Sequence, residues 1–169
     1  MVLGLYYQSG GPAATLPAVM VFLTAAGILF YIGRTSRRRT ESLRKLAVRR
    51  GFEGVSCNLP RDFPRKMLDE LYSGWVVPRW SGPHNVIAGE DGQDFILAFD
   101  VTIQRRKSTY NRTIVARRSA SFEPKSKIPK GYVYRASEGW QIMTPESRYF
   151  SVPHLIGAAE IERVWEQLR

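Results

Sequence analysis

The chain predicts an α+β fold: an N-terminal transmembrane helix, then a small antiparallel β-sheet domain covered by helices. Three observations carry this expectation. Residues 13–32, AATLPAVMVFLTAAGILFYI, contain no charge. Phe95, Leu97, Phe99, Val101 and Ile103 alternate with other residues just after an Asp-Gly pair. Ala158, Ile161, Val164, Trp165 and Leu168 recur at helical spacing near the end of the chain. Period two places alternate side chains on one sheet face, and a three-four spacing places them on one side of a helix.

The uncharged run sets the first division. Twenty residues rise about 30 Å as a helix, which is the thickness of the hydrocarbon core of a bilayer. Pro17 falls one turn inside the run, where a missing backbone donor is tolerated, and Ala14, Ala18, Ala25, Ala26 and Gly27 offer small surfaces for helix contact. The chain has 169 residues and a net charge of +10, and that charge is unevenly spread. Residues 34–50 hold Arg34, Arg37, Arg38, Arg39, Arg44, Lys45, Arg49 and Arg50 against Glu41 alone, so this segment carries +7 of the total. Residues 1–12 hold no Lys, Arg, Asp or Glu. A basic excess confined to the C-terminal flank predicts a cytoplasmic C-terminus and an N-terminus outside. A cleaved signal peptide would carry its basic residues before the apolar run, so an uncleaved anchor is expected. The expected organisation is residues 1–12 outside, 13–33 in the membrane, 34–50 as a basic juxtamembrane helix and 51–169 as a cytoplasmic domain.

Within 34–50, Leu43, Leu46 and Ala47 suggest an amphipathic helix from about residue 38 to 50, ending at Gly51, with its basic residues against anionic headgroups. Residues 52–57 read as a short strand. Asp62, Phe63, Pro64, Met67, Leu68 and Leu71 predict a short helix stopping at Gly74. Residues 75–82, with Trp75, Trp80, Pro78 and Gly82, read as irregular with room for a short strand. Residues 85–89 and 94–104 around Asp91-Gly92 predict a hairpin, because Asp-Gly suits the left-handed dihedrals of a tight turn. A polar turn at 105–111 and a strand at 112–120 would complete a meander. Residues 123–130 read as an exposed connector, 132–135 and 139–144 as two strands, and the last segment as a helix opposed by Glu160, Glu162, Arg163, Glu166 and Arg169. The expected result is a sheet with one face covered.

Chemistry is sparse. His84 and His154 stand at loop edges, and one cysteine, Cys57, makes neither an internal disulfide nor a zinc knuckle. Glu90, Asp91 and Asp94 surround the hairpin turn and read as a solvated turn rather than a calcium loop. Asp100 interrupts an apolar strand and is expected on the outer face, paired with Arg112 or Arg117. No phosphate loop, dinucleotide fingerprint or nucleophile elbow is present. An enzyme would have to use His84, Asp100 or the hairpin acids, and the reading leans against one. Arg105, Arg106 and Lys107 beside Tyr110 could hold a phosphate backbone and stack a base, but residues 51–169 balance only 17 basic against 14 acidic residues, which disfavours nucleic acid. The match of Asn111-Arg112-Thr113 to a glycosylation acceptor is accidental in a cytoplasmic domain.

An ordered series of short motifs runs through most of residues 43–168: LRKLAVRRGF from Leu43, NVIAG from Asn85, FILAFD from Phe95, TIVA from Thr113, and Gly139-Trp140 before the terminal helix. The series resembles a family of uncharacterised bacterial single-pass membrane proteins. In that family a transmembrane helix leads into an L-x-x-L-A-x-x-x-G-[WF] helix, an N-V-[LI]-x-G strand, an F-D strand and a T-V-V-A-like strand. This chain departs from the pattern at Val101-Thr102, where an aromatic is common. The resemblance implies location in the inner membrane and a cytoplasmic α+β domain, and no catalytic residues.

The functional expectation is therefore a membrane-anchored interaction module on the cytoplasmic face. Its partners would be the lipid bilayer, anionic headgroups at the juxtamembrane segment and a protein. No cofactor or metal is expected, and homo-oligomerisation stays open.

Overall fold

A computed structural model of the chain describes residues 15–72, 79–105, 108–121, 128–146 and 155–169. The chain divides into two units, Met1–Arg39 and Thr40–Arg169. The elements, in chain order, are α1 (Thr15–Arg49), α2 (Lys66–Tyr72), β1 (Arg79–Asp91), β2 (Asp94–Arg105), β3 (Ser108–Ser119), β4 (Tyr132–Ser137), β5 (Trp140–Pro145) and α3 (Ala158–Leu168).

In the first unit, every side chain described from Val19 to Arg38 is exposed, including Phe22, Leu29 and Phe30 at 70% or more. An uncharged helical stretch that buries none of its large apolar side chains is compatible with a hydrocarbon surrounding.

The second unit opens with the last turns of α1, where Leu43, Leu46 and Ala47 are completely buried. The helix stops in a Schellman arrangement. Gly51 takes φ +74°, Phe52 N donates to Ala47 O at 2.9 Å, and Gly51 N donates to Val48 O at 3.1 Å. The C-terminal half of the expected basic juxtamembrane helix is thus a core element, and the compact unit begins at Thr40 rather than at residue 51. The physical reason is that Leu43, Leu46 and Ala47 find a protein surface to cover.

The five strands form one antiparallel sheet in the order β1-β2-β3-β5-β4. The β1–β2 hairpin closes on the pair Asp91–Asp94, with Gly92 at φ +69°, as its Asp-Gly predicts. β1 is longer than the strand expected at 85–89, beginning at Arg79 in the stretch read as irregular with room for a short strand. It absorbs Gly82 and Pro83 because it is an edge strand with register breaks at Ser81/Pro83 and His84/Ile87. The expected strand at 52–57 reduces to one bridge, Ser56 with Val86, closed by two 2.8 Å hydrogen bonds. The β2–β3 connection is also tighter than expected. Arg105 pairs with Ser108, so only residues 106 and 107 join the strands in place of a seven-residue turn.

Both faces of the sheet are covered, where one was expected. On one face Leu97, Phe99, Val101 and Ile103 of β2 join Ile114, Trp140 and the α2 residues Met67 and Leu68. Phe63 packs edge-on against Phe99 and Trp140 at 5.5 and 5.1 Å between ring centroids. On the other face Ile96, Ala98, Val115 and Met143 meet Leu43 and Leu46 of α1 and Ile161, Val164, Trp165 and Leu168 of α3. The α3 stripe is the one its spacing predicts. Gly89 lets this second layer close: a Cβ there would stand 2.0 Å from the Phe52 ring, which in turn lies edge-on to Trp165.

Candidate functional site

A two-faced sheet changes the setting of every polar residue on β2. Asp100 was expected outside, and it is 4% exposed. Thr113 Oγ1 donates to Asp100 Oδ1 at 2.7 Å, and Asn85 Nδ2 donates to Asp100 Oδ2 at 3.0 Å. Asn85 sits in a β1 bulge at φ +52°, a left-handed conformation that Asn tolerates better than most residues. Its Oδ1 accepts from Thr40 Oγ1 at 2.8 Å, and Thr113 Oγ1 accepts from Ile156 N at 3.3 Å. A continuous polar chain therefore joins the start of the second unit, three strands and the approach to α3. A carboxylate this deep is retained when donors satisfy it. Sequence reasoning named Asp100 and missed Asn85, Thr40 and Thr113. The signal that could have found Thr113 is register, since a two-residue connection at 106–107 places it opposite Asp100.

Replacing Asp100 by Ala leaves Asn85 and Thr113 without their acceptor. With each hydrogen bond to a charged group contributing about 1.5–3 kcal/mol, a loss of about 3 kcal/mol is expected, read as a lower urea midpoint of the full chain in detergent. Asp100→Asn keeps an acceptor oxygen and should lose less.

The hairpin acids are engaged with arginines. Arg117, only 11% exposed in its side chain, donates from one guanidinium nitrogen to Asp94 Oδ2 at 2.7 Å and from another to Leu168 O. Burial alone would raise the Asp94 carboxyl. Hydrogen bonds from Arg117 and Ser119 and the charges of Arg117 and Arg169 together outweigh it and hold the group below the ordinary aspartate value. The unfolded state then binds more protons at acid pH. The stability this carboxylate contributes is complete above the unfolded pKa of about 4 and is lost as pH falls through the lower folded value. Unfolding of the full chain in detergent should thus show a constant midpoint contribution from Asp94 between pH 7 and 5 and a decline below about pH 4. Asp94→Asn should remove that part of the decline.

Asp91 faces Arg50 at 3.7 Å and also binds Arg169. Arg50 further meets Glu162 at 3.4 Å and Glu166 at 3.8 Å and lies over the Trp165 ring at 5.9 Å. Arg50 was grouped with the headgroup contacts, yet its guanidinium is held by three carboxylates within the unit. Arg118 stacks over Phe95 and Trp140 at 5.3 and 5.5 Å and pairs with Asp62. On α3, Glu160 accepts from the Tyr132 hydroxyl. Burial first, and then this hydrogen bond, push the phenol up to about 12, so it remains a donor at any physiological pH.

His84 is opposite Asp100 in the β1–β2 register, but its side chain is exposed and no hydrogen bond joins the two among the described residues. His154 lies outside the described residues. Among the described residues no cluster of three His, Cys, Asp or Glu side chains has metal-ligand spacing. Cys57 is a free, exposed thiol. Of the basic hairpin tip, Arg106 and Lys107 lie outside the described residues, and the Tyr110 ring that was to stack a base is buried in the core at 6% exposure.

The remaining basic residues fall in two groups. Arg34, Arg37 and Arg38 are exposed and Arg39 is half-buried, all in the first unit. Arg44, Lys45 and Arg49, on the outer side of α1 in the second unit, line a groove of about 600 Å³ with Ser42, Val48 and Ala158. A second hollow of about 460 Å³ lies where the ends of β2 and β3 meet the β4–β5 turn, lined by Glu90, Asp94, Phe95, Arg118 and Glu138 among others. The chain has one helix long and apolar enough to cross a membrane among the described residues, and its apolar window is entirely unburied, unlike the core helix of a soluble protein. This is compatible with a single-pass membrane protein. Comparison with protein families, with curated proteins and with solved structures yields no match to this chain.

Proposed function

We propose that the chain is a single-pass inner-membrane protein whose second unit works on the cytoplasmic face as an interaction module for a protein or lipid partner. The observation that carries this reading is the fully exposed apolar length of α1 followed directly by Arg34, Arg37, Arg38 and Arg39. Exposed Phe22, Leu29 and Phe30 suit hydrocarbon. The four arginines suit anionic headgroups, each contributing about 1 kcal/mol near the surface. The positive-inside rule supports a cytoplasmic C-terminus. The motif series from Leu43 to Trp140 supports membership in the bacterial family it resembles. The engagement of Asp91, Asp94 and Asp100 by arginines, Asn85 and Thr113 gives them structural roles, which favours an interaction module over a tethered enzyme.

Fusing to the C-terminus a reporter active only in the periplasm, and separately one active only in the cytoplasm, tests the placement. Cytoplasmic activity is expected. Periplasmic activity would overturn the orientation.

A further inference from the structure

The outer side of α1 in the second unit combines a hollow, an exposed apolar side chain and uncommitted positive charge. Its inner side, Leu43, Leu46 and Ala47, is spent on the core. On the outer side Val48 is 68% exposed. Among the described large apolar residues of this unit only Ile128 shares that condition, so Val48 is an exception to a well-covered surface. Val48 lies in the 600 Å³ groove bordered by Ala158, the first residue of α3, and by Arg44, Lys45 and Arg49. That volume falls within the usual range of pockets, about 300–1,000 Å³.

The three cations are available. Arg44 has no hydrogen-bond or ionic partner among the described residues. Lys45 meets Glu41 at 3.4 Å, but both side chains are more than 60% exposed, where such a pair is worth under about 1 kcal/mol. Arg49 reaches Glu162 at 3.6 Å while 60% exposed, and Glu162 is already held by Arg50. An apolar floor with positive walls is complementary to an apolar ridge with negative flanks. An amphipathic protein segment carries such a ridge.

We propose that this groove docks an acidic amphipathic segment of a protein partner, with apolar side chains over Val48 and Ala158 and carboxylates against Arg44, Lys45 and Arg49. The proposal deepens the interaction-module reading and rests on it for the compartment in which the partner is met.

The test uses the full chain in its own membranes, with Val48 replaced by photoreactive p-benzoylphenylalanine. Irradiation is expected to give a protein adduct whose mapped peptide carries Asp or Glu beside apolar residues. Arg44→Glu should cut the yield at least tenfold, and Lys in place of an acidic residue of the mapped peptide should restore it. Both positions are exposed, so an unchanged unfolding midpoint verifies that the variants fold. An adduct to a neutral or basic peptide, to phospholipid alone or to a second copy of the chain would overturn the proposal, as would no adduct. The reporter fusions report independently on orientation. A cytoplasmic reporter with no acidic adduct sinks the groove alone, and a periplasmic reporter with the adduct sinks the orientation alone.

Discussion

A fragment beginning at Gly51 is expected not to fold, whereas one beginning at Thr40 folds cooperatively. The two differ by the last turns of α1, which supply Leu43, Leu46 and Ala47 to the core and the Arg50 guanidinium to Asp91, Glu162 and Glu166. Removing a buried leucine side chain costs about 2–5 kcal/mol, and two are lost together with the Schellman cap that seats Phe52. Total stabilities of domains lie at about 5–15 kcal/mol, so the loss is comparable to the whole. Circular dichroism with urea unfolding of both fragments checks this. A cooperative transition of the shorter fragment, with a midpoint near that of the longer one, would show that α1 is dispensable to the core.

Trp165→Ala is expected to lower stability by about 3–5 kcal/mol, the range for truncating a buried aromatic. Trp165 is 2% exposed and donates from Nε1 to Leu97 O at 3.2 Å, which fixes α3 to β2. Its ring faces the edge of Phe52 at 6.1 Å and carries Arg50 above it, so the α1 cap and α3 meet on this one side chain. Trp165→Phe keeps much of the packing but leaves Leu97 O without that donor, and should fall between the two. Urea titration of the full chain in detergent, followed by the loss of α3 and sheet signal, separates the three proteins.

The elements were legible where a single period dominated. Ile161, Val164, Trp165 and Leu168 form the buried stripe of α3 at the positions their spacing indicates. Asp91-Gly92 marks the β1–β2 turn correctly. Reading failed where a residue satisfied two patterns. Phe95 to Ile103 show clean alternation, which implies one wet face, yet Ile96 and Ala98 between them are buried as well. An alternating strand and a strand covered on both sides differ only in those intervening positions. Asp100 made the second face look polar. Leu43, Leu46 and Ala47 give an amphipathic helix whether its apolar side meets lipid or a protein core, and periodicity does not say which. The β2–β3 turn was placed too broadly because Arg105 and Asn111 are both polar, although Arg105, Thr109 and Asn111 belong to the strands. That error hid Thr113 as the partner of Asp100.

Of the candidate site, charge counting located the basic residues but not their assignments. Eight cations in one run look alike in sequence. Folding sorts them into Arg34, Arg37, Arg38 and Arg39 in the first unit, Arg44, Lys45 and Arg49 around the groove, and Arg50 inside an ionic cluster. Carboxylates from β1 and α3, distant in the chain, reach Arg50 and Arg49.

The most direct measurement uses the single native cysteine. Cys57 is exposed in the second unit, so no substitution is needed. The full chain is expected to stay with membranes after alkaline extraction, and Cys57 to resist a membrane-impermeant maleimide in intact spheroplasts but to react once they are permeabilised. Labelling of Cys57 in intact spheroplasts, or release of the chain by alkali, would contradict this expectation.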